Sequence, residues 1–293
     1  MFNLRTVKIL FLVFISSRAL GQVDEESFRK YSYLILKIDC PWEEARANPT
    51  VKHRWIWGTC AFIKSNNRIF LVTAAHVLRS SYDAIPDLPN VDPAAIHYYI
   101  RVYHRETKKL DFIEFTFNDR GLDKYDDPMM SFKKPDVEIV ECKNLSSAIA
   151  LNTIDDFIEN NFKNNLILDA FTWGYPNPKN FENSNDLLVP GKDPSSVLRE
   201  DSERLYRGKL TDAWKDIPGR PDNLDSLNFA LYPEASYGFS GSPVFFRLKK
   251  SGNSTVSKVV FAGILSAGLD VHHIGIVAKH SEVIKILKEK LKH

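Results

Sequence analysis

A serine between glycines, a histidine closing an apolar run and an aspartate opening another are the residues whose types could do chemistry together in this chain. Ser240 lies in Gly238-Phe239-Ser240-Gly241-Ser242-Pro243, ahead of Val244-Phe245-Phe246. Glycines permit backbone angles and close approaches that a side chain would block. The pattern therefore suits a tight turn that exposes one hydroxyl. The amides of Gly238 and Ser240 could then converge on one small volume and form an oxyanion hole for the charge that develops when Ser240 attacks a carbonyl. Alone, the hexapeptide reads equally well as an ordinary Gly-rich hairpin. His76 ends Phe70-Leu71-Val72-Thr73-Ala74-Ala75-His76, and Asp136 stands in Lys134-Pro135-Asp136-Val137-Glu138-Ile139-Val140. A serine nucleophile needs a base to take its proton. The base needs an acid to fix its tautomer and stabilise the imidazolium. Asp123, Asp126 and Asp127 compete for the acid's role. Asp136 is preferred because an apolar strand follows it directly, as a buried acid held by its backbone requires.

The order His, Asp, Ser is the chymotrypsin one. Thr73-Ala74-Ala75-His76, Pro135-Asp136-Val137-Glu138-Ile139-Val140 and Gly238-Phe239-Ser240-Gly241-Ser242-Pro243 resemble the three signature blocks of the trypsin/chymotrypsin-like serine proteases. Gly263-Ile264-Leu265-Ser266-Ala267-Gly268 is similar to the strand that binds the substrate backbone beside that family's specificity pocket. Trp173-Gly174-Tyr175-Pro176 resembles the start of the second half in its bacterial members. The resemblance implies an all-β fold of two antiparallel six-stranded β-barrels, with the site in the cleft between them. It implies His76, Asp136 and Ser240 as the catalytic residues, and Gly238 and Ser240 as the oxyanion donors. Counting back from Ser240 without a gap, it puts Glu234 at the floor of the specificity pocket, with Ser266, Gly268 and Gly275 as further substrate-binding positions. An acid there would favour Arg or Lys, whereas His272 or His273 could instead favour glutamate. Animal members carry a cysteine after the catalytic histidine, but here Val77 stands there. Cys60 is then unpaired or joined to Cys40, and the chain does not rely on a disulfide framework. Phe239 occupies the place of the aspartate that pairs with a new N-terminal amine in trypsins, so activation by cleavage is not expected.

Composition agrees with a globular protein of two compact halves. The chain has 293 residues, 44% of them hydrophobic, and a net charge of +2 from 39 basic and 37 acidic residues. That near-balance gives no reason to expect nucleic acid or an anionic membrane as partner. The histidines show no metal-ligand spacing, and no metal or cofactor is expected. Residues 1–21 read as a secretory signal: Arg5 and Lys8 precede a short apolar core, and Ala19-Leu20-Gly21 offers small residues for cleavage. The apolar run is too short to span a bilayer. The expected product is a secreted or periplasmic monomer with no membrane association after signal removal, acting on a protein or peptide. Residues 22–150 form the half with His76 and Asp136. Residues 151–293 form the half with Ser240 and a terminal helix.

The elements that must position these residues are mostly strands. Residues 30–40, 55–63, 97–104 and 110–117 have strand character. Ser65-Asn66-Asn67-Arg68 is a turn into the strand that delivers His76. A connector over 143–165 holds a helical piece from Ile154 to Phe162. Strands resume at Phe171, Arg207 and Asn228, and residues 177–204 form a long loop. Val283, Ile286, Leu287 and Leu291 recur at helical spacing with lysines opposite, so Glu282 to Leu291 is a packing helix. Asn144 and Asn253 head glycan motifs. Two other functions fit parts of the pattern. A serine esterase uses Gly-x-Ser-x-Gly, but the last position here is Ser242, and no alternating βα units follow Ser240. A catalytically inactive protease-like binding module would keep all three residue types.

Overall fold

The computed structural model describes residues 24–47, 55–79, 96–104, 109–117, 134–142, 145, 151–159, 168–175, 203–212, 227–232, 238–249, 257–269 and 274–292. The signal segment, Asn144 and Asn253 of the glycan motifs, Glu234, the histidine pair and residues 177–202 of the long loop lie outside them, as do Asp123, Asp126 and Asp127; Arg204, read as the loop's end, already belongs to a strand. Twelve strands make two antiparallel six-stranded sheets. The first contains β1 (Tyr33–Ile38), β2 (Trp55–Ser65), β3 (Arg68–Thr73), β4 (His97–His104), β5 (Lys109–Glu114) and β6 (Glu138–Glu141) in the order β5-β4-β1-β2-β3-β6. The second contains β7 (Leu168–Gly174), β8 (Arg204–Thr211), β9 (Asn228–Tyr232), β10 (Pro243–Lys249), β11 (Ser257–Leu269) and β12 (Ile274–Lys279), closed as a barrel. The α-helices among the described residues are α1 (Trp42–Ala47), α2 (Ala75–Arg79) and α3 (His280–Lys290).

Period-two alternation explains how the sheets share a core. Successive side chains of a strand point to opposite faces. On β2, Cys60 and Phe62 enter the interior of the first sheet, while Ala61 and Ile63 face the second. On β10, Val244 and Phe246 fill the second barrel, while Phe245 turns to the layer between the sheets. That middle layer joins Phe70, Val72 and Ile139 to Phe171, Trp173 and Phe261. Val283 and Leu287 of α3 close it at one end. The β2–β3 hairpin turns at Asn66 and Asn67, whose φ of 51° and 61° suit a two-residue primed turn.

Three details differ from the sequence reading. Of the helical piece, the described residues form a 3-10 turn, Asp155–Phe157, after which Ile158 has an extended ψ of 118°; residues 160–162 lie outside the described residues. A 3-10 turn at Glu25–Tyr31 precedes β1 in a segment read as strand from residue 30. It exists because Phe28 buries itself against Phe157, Phe171 and Phe245, and Asp24 caps its start by accepting from Glu26 N. The cysteines are all free and buried, so Cys40 and Cys60 are not joined. Cys60 and Cys142 lie inside the first sheet, while Cys40 lies under α1. Burial pushes the Cys142 thiol up to about 12 and raises Cys60 well above its usual range.

Candidate active site

The histidine is delivered by a strand that turns into a helix. β3 ends at Thr73, paired with Glu138 of β6. Ala75 then begins α2, whose first amides need acceptors. Asp136 supplies them from the mouth of β6. Its carbonyl accepts from Ala75 N (3.3 Å) and its Oδ1 from His76 N (3.1 Å). Its Oδ2 lies 2.6 Å from His76 Nδ1. One acid thus caps the helix and grips the ring it carries. The Asp136 side chain is 4% exposed and that of His76 31%. A proton on Nδ1, shared with Asp136, leaves the ring's lone pair on Nε2. Glu138 holds the other end of α2 through Arg79 (2.6 Å).

The serine turn is pressed against β2 from the other side. Gly238 and Gly241 have φ of 91° and 90°, in the region that favours glycine. A Cβ on Gly241 would stand 1.8 Å from Thr59 O and 2.1 Å from Thr73 Oγ1, so no side chain fits. Ser240 O accepts from Thr59 N (2.8 Å), and Gly241 N donates to Leu265 O (2.7 Å). Phe239 is 3% exposed and packs into the second barrel against Tyr206. A Cβ on Gly58 would meet both Val77 (2.8 Å) and Ser240 O (2.9 Å). The serine turn and the histidine helix therefore touch the two sides of one glycine. Among the described residues, no hydrogen bond joins Ser240 Oγ to His76, and the amides of Gly238 and Ser240 donate to no backbone acceptor. Such contacts are often long before substrate binds.

No family model matches the chain, and no curated protein sequence does. Among solved structures, mouse neuropsin, a serine protease expressed in the limbic system, superposes with a TM-score of 0.50 at 12% identity, over 90% of this chain and 95% of that one. The fold is chymotrypsin-like. At that identity the likeness concerns the fold, not the activity.

The remaining candidate positions are less concentrated. Ser266 is 2% exposed, and its Oγ donates to Ile276 O (3.2 Å), across an irregularity in the β11–β12 pairing. Gly268 pairs with Gly275 across the same two strands. A Cβ on Gly275 would lie 3.2 Å from Leu265 and 3.4 Å from Leu231, so its open side belongs to the barrel interior. Among the described residues, no group of three or more His, Cys, Asp or Glu is placed to hold a metal ion. No helix among them is long and apolar enough to cross a membrane.

Two residues near the site escaped the sequence reading. Thr59 touches the serine turn twice, through its amide and through its hydroxyl (3.1 Å to Gly238 O). The signal for it was Gly58, since glycine inside an apolar strand marks a close backbone approach. Glu203 is a hub: it binds Arg29, the Tyr175 hydroxyl and Arg101 (3.0 Å), joining the N-terminal turn to both sheets. Nothing local distinguishes it from its acidic neighbours. Burial raises the Tyr175 hydroxyl above its usual range, and the Arg101 guanidinium, 4.4 Å from its ring centroid, works against that.

Proposed function

We propose that the chain is a secreted serine endopeptidase that hydrolyses peptide bonds through His76, Asp136 and Ser240. The observation that supports this most is the 2.6 Å contact of Asp136 with His76 Nδ1, beside a glycine-bounded serine turn. His76 Nε2 takes the Ser240 proton as Oγ attacks the scissile carbonyl. The amides of Gly238 and Ser240 donate to the oxyanion, a contribution on the order of 2.7–4 kcal/mol per donor. His76 then gives its proton to the leaving amine, and an acyl-enzyme remains on Ser240. Water, deprotonated by His76, releases the acid and restores the serine. This chemistry needs no metal or organic cofactor.

In this reading residues 1–21 direct export, residues 22–150 carry the base and its acid, and residues 151–293 carry the nucleophile. Val77 after His76 and three free cysteines favour the bacterial-type branch. Basic side chains at P1 rank first, through Glu234, with acidic ones second. The test is hydrolysis of a fluorogenic peptide library by wild type and His76→Ala. Cleavage by the wild type and its loss in the variant is expected. Equal rates would remove His76 from the mechanism. No cleavage by the wild type would favour the inactive binding module.

A further inference from the structure

Thr59 is fully buried and engages the serine turn twice, the end of β7 once and the strand before His76 once. Its amide donates to Ser240 O (2.8 Å). Its hydroxyl donates to Gly238 O (3.1 Å) and accepts from Tyr175 N (3.3 Å). Its carbonyl accepts from Thr73 Oγ1 (2.7 Å), three residues before His76. A threonine hydroxyl has one proton. Because Tyr175 N occupies a lone pair, that proton is aimed at Gly238 O. The hydrogen bond from the backbone N–H to Ser240 O is available to any residue but proline at this position. The bond to Gly238 O needs the hydroxyl.

The Ser240 end of the turn is held without the hydroxyl, by Thr59 N at Ser240 O and by Leu265 O at Gly241 N. The Gly238 end is held to β2 by the hydroxyl. The two grips fix the peptide planes that join Gly238 to Phe239 and Ser240 to Gly241; the plane between them, which carries the Ser240 amide, is thereby held from both ends, and the Gly238 amide adjoins the first of them at one Cα. Thr59 is also tied to the strand that leads into α2. We propose that the Thr59 hydroxyl is a positioning device: it locks the serine turn in register with His76, so that Ser240 Oγ and the two oxyanion amides meet one carbonyl. The proposal rests on the hydrolase reading given above.

Thr59→Val keeps the shape and the amide and removes both hydroxyl bonds, while Thr59→Ser keeps the hydroxyl. Inactivation by a fluorophosphonate gives the rate at saturation and the binding constant separately. For Thr59→Val the saturated rate should fall about 10- to 100-fold, the scale expected when reacting groups are displaced by about 1 Å. The binding constant should hold, and Thr59→Ser should return the rate to within about threefold of wild type. Amide hydrogen exchange at Gly241 and Ser242 should quicken in Thr59→Val and recover in Thr59→Ser. If Thr59→Val does not fold, Thr59→Ala, which also lacks the hydroxyl and is smaller, replaces it. A Thr59→Val rate equal to wild type overturns the proposal, as does a loss that Thr59→Ser fails to restore. If the wild type does not react, the hydrolase reading fails and exchange alone decides. Unchanged exchange overturns the lock, and quickened exchange upholds it.

Discussion

Lys37 offers a test of how the first sheet supports the histidine helix. It sits on β1, is 1% exposed, and donates from Nζ to Leu78 O of α2 (3.2 Å). Burial lowers its pKa from 10.5 to about 8. The folded value lies below the unfolded one, so between about pH 8 and 10.5 the unfolded chain binds more protons and stability rises with pH. Below pH 8 both states are protonated and the full penalty applies. At 1.36 kcal/mol per pKa unit it amounts to about 3 kcal/mol. Lys37→Met removes the buried charge and forfeits the hydrogen bond to Leu78 O, worth about 1 kcal/mol. The Tyr98 hydroxyl still reaches Leu78 O (3.4 Å). The variant should therefore be more stable than wild type, by up to about 2 kcal/mol at pH 7. Urea melts at pH 7, 8, 9 and 10 measure this. The difference between the two proteins is the quantity to read, because the buried thiols, with raised pKa values, lose stability as pH climbs past 9 in both. That difference should shrink steadily above pH 8. A difference that stays constant from pH 7 to 10 would refute the reasoning, since Lys37 would then not titrate in the fold.

Two further outcomes follow from the site. Asp136→Asn should lower the turnover number on the order of 10⁴-fold with little change in fold, because an amide can hold the wrong tautomer of His76; circular dichroism and steady-state rates check this, and a loss under tenfold would deny Asp136 its role. Ser242 is fully buried and its Oγ has no hydrogen-bond partner among the described residues, so Ser242→Ala should be neutral or raise stability by up to about 1 kcal/mol in a thermal melt, whereas a loss of that size would reveal a bond to the hydroxyl.

Much of the strand pattern was legible because burial on two faces leaves a period-two record, as on β2 and β10. The serine turn was legible because positive φ at Gly238 and Gly241 demands a residue type that can be read directly. Lys37 was not, since a lysine in an alternating strand reads as solvent-facing until α2 closes over it. The N-terminal turn was hidden because its one buried anchor, Phe28, stands among charged residues. Glu25 binds Arg207 and Arg247 of the second barrel, and Glu203 binds Arg29 and Arg101. Pairings over such separations leave no local trace. Thr59 was half legible: Gly58 announces a close approach, but only the fold says what approaches. The specificity residues divide in the same way, with Ser266 engaged by its neighbouring strand and Glu234 outside the described residues.

The central claim is that Ser240 is a nucleophile activated by His76. Its most direct measurement is the site of covalent modification by a fluorophosphonate, located by peptide mass mapping. The account predicts one adduct per chain, on the peptide containing Ser240, absent from Ser240→Ala and strongly slowed in His76→Ala. An adduct on any other residue, or labelling that persists in Ser240→Ala, would contradict it.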